Sequence, residues 1–176
     1  MKKAYILLAD GFEVIEALAP IDILKRAGVA VTKVAVGSSL DVTSSHGDIS
    51  IDDATLSDGD AVILPGGNPG YVNLRQSEAV CNIVREYYNS DRLIAAICGA
   101  PTVFAAAGIA HDKSMTCHSS VKSEMAGYNL VDSSIVHNGN ILTASGAGHS
   151  ISFGIAIAKC LVDAETLLRT QQGMEL

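Results

Sequence analysis

The sequence predicts an α/β fold in which a mainly parallel sheet carries helices on both faces. Short apolar segments alternate with segments of helical spacing, and this alternation is typical of parallel strands joined by right-handed crossovers. The chain has 176 residues, of which 48% are hydrophobic, so it is long enough to bury one core. We therefore expect a single domain over residues 1–176.

The first strand–helix–strand unit lies within residues 3–36. An apolar strand at 3–9 is followed by a turn and by helical spacing over 13–27, which Gly28 ends. Pro20 stands inside that segment and predicts a kink or a break of the helix. A second apolar strand follows at 29–36, so the two strands are expected to be parallel.

The middle of the chain continues the pattern. Residues 42–52 alternate weakly and predict one or two short edge strands, with His46 and Gly47 at their centre. Residues 61–64 predict a buried strand, and residues 77–89 a helix with Ser77 as its N-cap. Cys81 lies at helical spacing with apolar residues of that helix, so we interpret it as a packing residue.

The second half predicts further strands and helices. An apolar strand at 93–97 leads into a small-residue turn at Cys98 and a helix that runs to 107. A short strand at 114–118 ends in His118, and a short helix follows at 121–125. Asn138-Gly139 predicts a hairpin between 134–136 and 141–144. The last predicted helices span 149–161 and 165–170.

Four turns that follow predicted strands are expected to meet at one rim of the sheet. Ligands of such sheets bind beyond the carboxyl ends of the strands. The turns are Asp10-Gly11, Gly66-Gly67, Cys98 and Ser145-Gly146.

Cys98 is the candidate nucleophile at this rim. It stands between a strand and a helix start, where small residues allow a sharp turn and the helix dipole favours the thiolate. We therefore expect its pKa to be lowered. Taken alone, the residue fits a small buried core cysteine equally well.

Glu16 is the first candidate to move a proton for Cys98. It stands among apolar residues, which raise the pKa of a carboxyl and allow it to act as an acid. Glu13 shares its helix face, and His118 ends a strand at the same rim. A solvated acidic pair and a structural histidine are the alternatives. The other histidines are His46, His111, His137 and His149.

Several protein classes are disfavoured. The net charge of −7, without a basic cluster, argues against nucleic acid and anionic membrane as partners. The apolar stretch 93–110 contains Pro101 and fits a strand and a helix better than a membrane span. The sequence contains no G-x-S-x-G, G-x-G-x-x-G, P-loop or H-E-x-x-H pattern, so we expect no cofactor and no metal. Its four cysteines form no C-x-x-C pair and predict free thiols in the cytoplasm.

Four stretches carry a resemblance to a known family. They are Leu8-Ala9-Asp10-Gly11-Phe12-Glu13-Val14-Ile15-Glu16, Leu64-Pro65-Gly66-Gly67-Asn68, Ala95-Ala96-Ile97-Cys98-Gly99-Ala100-Pro101 and Thr116-Cys117-His118. In this order they resemble the first loop and helix, the glycine loop, the nucleophile elbow and the histidine strand of the ThiJ/PfpI superfamily, and within it the DJ-1 branch. The resemblance extends over residues 3–162.

The resemblance implies a flavodoxin-like sandwich that forms a homodimer. It implies that Cys98 is the reactive cysteine and shares a proton with Glu16, that His118 lies beside it, and that the backbone of Gly67 and Gly99 stabilises an oxyanion. The other implied pocket residues are Glu13, Gly66, Asn68, Arg26 and His46. His46 stands where close relatives often have an arginine, and Arg26 is the other basic residue; Ser119, Ala147 and His149 also depart from the family pattern.

Three functions remain open on these grounds. The first is a cofactor-independent glyoxalase or deglycase, in which Cys98 and Glu16 act on methylglyoxal, glyoxal or their early adducts on amines or thiols. The second is an oxidative-stress sensor or redox-regulated chaperone that uses oxidation of Cys98. The third is a cysteine peptidase or amidase, which would need a third, acidic residue beside a Cys–His pair.

Overall fold

The computed structural model of the chain describes residues 1–37, 39–50 and 58–176. The strands within these ranges are β1 (Lys3–Leu8), β2 (Ala30–Ala35), β3 (Asp41–Ser44), β4 (Gly47–Ser50), β5 (Ala61–Leu64), β6 (Leu93–Ile97), β7 (Ser114–Met115), β8 (Asn129–Leu130), β9 (Ile135–Asn138) and β10 (Ile141–Ala144). The α-helices are α1 (Val14–Arg26), α2 (Gly70–Gln76), α3 (Glu78–Asn89), α4 (Thr102–Ala107), α5 (Ser150–Leu161) and α6 (Ala164–Gln172).

The main sheet confirms the predicted fold class. Six strands lie in the order β2-β1-β5-β6-β10-β9. Its first five strands pair in parallel, and β9 pairs with β10 antiparallel as the predicted hairpin. The carboxyl ends of the parallel strands therefore share one rim, where the predicted turns meet.

Two helical layers cover the sheet. Along β1, Ile6 and Leu8 pack on one face and Tyr5 and Leu7 on the other, as the two-residue period of a strand requires. Helices α1 and α5 cover the first face, and α2, α3 and α4 cover the second. α5 crosses close to α1 at Gly154, where a Cβ atom would lie 2.6 Å from the side chain of Ile23.

The predicted edge strands form a sheet of their own. β3 and β4 pair antiparallel and are separate from the six-stranded sheet. An isolated bridge between Phe12 and Ser44 and a hydrogen bond from Gly11 N to Thr43 O, 2.7 Å long, hold this hairpin against the turn before α1. Residues 51 and 52 of the prediction lie outside the described residues.

The break predicted at Pro20 is wrong. α1 continues through this residue to Arg26. Pro20 is buried and its Cα faces Gly154 of α5, so packing between the two helices offsets the missing N–H donor.

The strand predicted at 114–118 ends at Met115. The backbone beyond it turns toward the main sheet, since Thr116 N donates to Thr143 Oγ1 and His118 N donates to Cys98 O, both at 2.9 Å. His118 is therefore the N-cap of a 3₁₀ helix over Ser119–Met125 rather than a strand residue. The sequence pattern did not predict α2, which begins directly after the glycine loop.

Within the described ranges, no helix is both long enough and apolar enough to cross a membrane.

Candidate active site

Cys98 occupies a sharp turn directly after β6. Its φ of 64° is in the left-handed region, which a residue with a side chain rarely adopts. Two backbone hydrogen bonds of 2.9 Å hold it there: Cys98 N donates to Ala144 O, and Cys98 O accepts from His118 N. The strain is therefore stabilised from both sides, as is typical of functional turns.

The Glu16 carboxyl is the second group of the site. Glu16 lies in the first turn of α1 and is fully buried. Its Oε2 accepts a hydrogen bond of 2.8 Å from Gly66 N. Its Oε1 makes no hydrogen bond of good geometry within the described residues, and the thiol of Cys98 is the neighbouring group that interacts with this carboxyl.

Burial and mutual repulsion set the protonation of the two groups. Burial raises the pKa of Glu16 from 4.5 to about 7, although the Gly66 N–H and the Cys98 thiol oppose this rise. Burial, and then the negative charge of Glu16, raise the pKa of Cys98 from 9.0 to about 12. At a pH between these two pKa values, the pair holds one proton, which the sulfur and the carboxyl can share.

The expected lowering of the Cys98 pKa by a helix start is wrong. α4 begins only at Thr102, and the Glu16 charge and burial outweigh the backbone N–H groups of Gly67 and Gly99, which favour the thiolate. The contribution of Glu16 reverses when its carboxyl carries the shared proton, because it then donates a hydrogen bond to the thiolate instead of repelling it. The reactive thiolate of Cys98 is therefore stabilised when the shared proton lies on Glu16.

The glycine loop leaves room for this pair. At Gly66 a Cβ atom would lie 2.7 Å from both Cys98 Cβ and Glu16 Oε2, so any larger residue would separate or displace the two groups. Gly67 has a φ of +87° and lies against the turn that precedes α1. Its N–H and that of Gly99 are the backbone donors at the sulfur.

Tyr71 was missed by the sequence reading. Its ring lies over Gly99, where a Cβ atom would be 2.6 Å from the ring. Tyr71 stands in α2, whose first turn is bonded to the glycine loop through Tyr71 N and Gly67 O at 2.9 Å. A helical pattern after the glycine loop was the signal that could have indicated it.

His118 lies beside Cys98 through its backbone. Its side chain is exposed, and Nδ1 accepts a hydrogen bond from Ser120 N at 3.2 Å and lies 2.8 Å from Ser120 Oγ. The Cδ2 edge of the ring faces Gly146. A catalytic role of His118 therefore stays a prediction, with Nε2 as its available nitrogen.

Glu13, which is half-buried, and His46, which is exposed, form a cluster near the pair. His46 Nδ1 lies 3.4 Å from Glu13 Oε1, and Ser45 Oγ lies 3.1 Å from Glu13 Oε2 and 2.8 Å from His46 Nδ1. The negative charge of Glu13 contributes to the raised pKa of Glu16. Asn68 is exposed on the glycine loop.

The placement of Arg26 in the pocket is wrong. Arg26 ends α1, ten residues after Glu16 and therefore about 15 Å further along the helix axis. Its guanidinium pairs with Asp22 on the same helix at 2.7 Å. His46 is thus the basic residue that the fold brings close to Glu13.

No group of three or more His, Cys, Asp or Glu side chains within the described ranges is arranged to hold a metal ion.

Comparisons with known proteins identify the family and the fold. A family model described as the DJ-1/PfpI family matches residues 2–160. The Parkinson disease protein 7 homolog of Danio rerio is 36% identical over 99% of this chain and 97% of its own length. A Caenorhabditis elegans protein named glutathione-independent glyoxalase DJR-1.2 is 33% identical over 93% of this chain and 91% of its own. The crystal structure of Drosophila melanogaster DJ-1beta matches with a TM-score of 0.94 at 33% identity, over 99% of this chain and 98% of that chain.

Proposed function

The chain belongs to the DJ-1/PfpI family, and from this premise we propose that it is a glutathione-independent glyoxalase or deglycase. Its substrates are small 2-oxoaldehydes such as methylglyoxal and glyoxal, or their early adducts on amines and thiols. The observation that carries the proposal is the contact between the partly buried thiol of Cys98 and the fully buried carboxyl of Glu16. Their raised pKa values allow the pair to share one proton above about pH 7.

The reaction begins when the shared proton lies on Glu16. The Cys98 thiolate attacks the aldehyde carbon of methylglyoxal and forms a hemithioacetal. The aldehyde oxygen becomes negative in this step, and the N–H groups of Gly67 and Gly99 are the donors available to it.

Glu16 then moves the proton between the two carbons. It protonates the developing alkoxide, and as a carboxylate it accepts the proton from the former aldehyde carbon to give an enediol. Return of a proton to the neighbouring carbon leaves a lactate thioester on Cys98. Water releases lactate and restores the thiol, so the cycle requires no cofactor. An adduct on an amine enters the same sequence through a hemithioaminal.

The test is lactate formation from methylglyoxal by the reduced protein without glutathione. We expect turnover in the wild type, none in Cys98→Ser, and a loss of at least about a hundredfold in Glu16→Gln, the range typical of a lost acid–base group. Glu165→Gln, at an exposed position in α6, is the matched control and should keep wild-type turnover. Turnover in Cys98→Ser equal to wild type would overturn the proposal.

A second candidate uses the same pair for redox sensing. Cys98 is partly exposed, and a peroxide can oxidise its thiolate to a sulfenate and then a sulfinate. A protonated Glu16 can donate a hydrogen bond to that sulfinate. Peroxide titration followed by intact mass separates the candidates: selective addition of two oxygens at Cys98 with altered client binding, and no lactate formation, would favour sensing or chaperone activity.

The geometry disfavours a peptidase or amidase. The Nδ1 atom of His118 is bonded to Ser120, so the described residues place no carboxylate there to complete a Cys–His–acid triad. Aminopeptidase substrates should remain uncleaved.

We further propose that the chain acts as a single-domain homodimer in the cytoplasm. Ile15 and Leu18 of α1 and Ile151 of α5 are large apolar side chains with 39–48% exposure, and the two helices that carry them pack side by side. A second copy could cover this surface. All four cysteines are free, which suits a reducing compartment. Light scattering of the purified protein tests the dimer.

A further inference from the structure

A cavity lies at the rim of the sheet opposite to Cys98. Its volume is about 810 Å³, within the range of sites for small molecules. Lys2, Asp60 and Asn140 in its wall each precede a parallel strand, whereas Cys98 follows one. The cavity is therefore separate from the active site.

A cysteine and a histidine meet in the wall of this cavity. Cys160, near the end of α5, is exposed, and its Sγ lies 3.8 Å from Nε2 of His137 in β9. The single thiol hydrogen can donate either to Ala156 O, 3.3 Å from the sulfur, or to this nitrogen. The imidazole is thus positioned to accept the thiol proton.

The other three cysteines are less accessible. Cys81 and Cys117 are 6% and 3% exposed, so a reagent reaches them only when the fold opens. Cys98 is partly buried and interacts with Glu16. Cys160 alone of the four is an exposed residue with a neighbouring base and an open cavity.

The wall of the cavity carries charges of both signs, and one of its cations, Lys159, is next to Cys160 in the sequence. Asp91, also in the wall, forms no ion pair with a residue that the structure describes. Lys2 pairs with Asp60 at 2.7 Å, and Arg92 pairs with Asp58 and Glu86. Lys159 has no ion-pair partner among the residues that the structure describes. Partial burial raises the pKa of the Cys160 thiol, and the adjacent ammonium of Lys159 opposes this rise. The thiol therefore depends on His137 to lose its proton near neutral pH.

We propose that Cys160 is a site of reversible thiolation by small disulfides that carry carboxylates. The thiol proton passes to His137 as the sulfur attacks one sulfur of the small disulfide. A new S–S bond forms to Cys160, the original S–S bond breaks, and the departing thiolate takes the proton from His137. Lys159 pairs with a carboxylate of the incoming molecule. The disulfide is the only oxidant that the step needs.

The probe is oxidised glutathione, added to the reduced full-length protein and followed by intact mass and peptide mapping. We expect one glutathionyl group at Cys160 in the wild type and in Cys98→Ser, and none in Cys160→Ser. Modification confined to Cys98, or equal in Cys160→Ser and wild type, would overturn the proposal. Because Cys98→Ser lacks the proposed catalytic thiol, this outcome is independent of the glyoxalase assay.

Two further variants test the neighbours. His137→Gln should slow thiolation by about tenfold or more, since it removes the base; an unchanged rate would refute the role of His137. Lys159→Gln should slow the reaction with oxidised glutathione but not with the neutral bis(2-hydroxyethyl) disulfide. Lys25→Gln, an exposed lysine at the end of α1, is the matched control. Equal slowing with both disulfides would refute recognition of a carboxylate.

Discussion

The variant Glu16→Gln is expected to be more stable than the wild type, and this difference in unfolding free energy should increase as the pH rises from about 5 to about 8. The structure gives the magnitude, because the Glu16 side chain is fully buried and its pKa is raised from 4.5 to about 7. A change of this size corresponds to about 3 kcal/mol of unfolding free energy, at about 1.4 kcal/mol per pH unit.

The sign follows from the burial of an acid. Below the unfolded pKa of 4.5, the carboxyl is protonated in both states and contributes no pH dependence. As the pH rises toward about 7, the unfolded state releases its proton first, so the wild type loses stability. Above that value the loss is complete. Gln keeps the volume and an oxygen that can accept from the Gly66 N–H, but it cannot ionise. The unfolding free energy of Glu16→Gln therefore does not decrease in this pH range through residue 16.

The assay is urea unfolding followed by circular dichroism at a series of pH values. The difference in unfolding free energy between Glu16→Gln and wild type should grow by about 2.5 kcal/mol between about pH 5 and about pH 8, because part of the full change occurs below about pH 5. Glu165→Gln, at an exposed position, should give a difference that is nearly constant. A constant difference for Glu16→Gln as well would refute the raised pKa, and with it the shared proton.

Three other changes test the geometry of the site. The kcat/KM for methylglyoxal should rise with pH around a midpoint near 7, where the pair of Cys98 and Glu16 loses its first proton; a flat profile from about pH 6 to about pH 9 would contradict this. Gly66→Ala should lose most activity and about 1–3 kcal/mol of stability, because a Cβ would lie 2.7 Å from Cys98 Cβ, whereas Gly148→Ala, with open space around it, should keep both. Arg26→Gln should leave kcat and KM unchanged, since Arg26 pairs with Asp22 far from the sulfur; a raised KM would place it in the pocket after all.

The fold was predictable because strands and helices leave a local pattern. The alternating apolar segments gave the parallel sheet, and Asn138-Gly139 gave the β9–β10 hairpin with Gly139 at a φ of +64°. His118 was misplaced because its short apolar segment resembles a strand, whereas bonds from residues 116–118 to the main sheet decide its path. Contacts of this kind join distant parts of the chain and leave no local signal.

The sequence predicts which residues form the site, but it does not predict how their charges shift the pKa of Cys98. The sequence brings Cys98 and Glu16 to one rim, and apolar neighbours of Glu16 indicate its raised pKa. The sign of the Cys98 shift depends on the distance between the two groups and on how deeply both are buried, and neither quantity is local. Arg26 illustrates the same limit, since its distance from Glu16 becomes clear only when α1 is known to be continuous.

Gly66 allows the Cys98 thiol and the Glu16 carboxyl to share a proton. Its N–H fixes Glu16 Oε2 at 2.8 Å, and the absence of a side chain lets Cys98 approach the same carboxyl. The backbone donor lowers the pKa of Glu16, and burial raises it. Because burial is the larger effect, the carboxyl can hold a proton at neutral pH and pass it to a substrate oxygen. A residue with a Cβ at this position would leave a buried acid and a separate thiol, neither of them activated by the other.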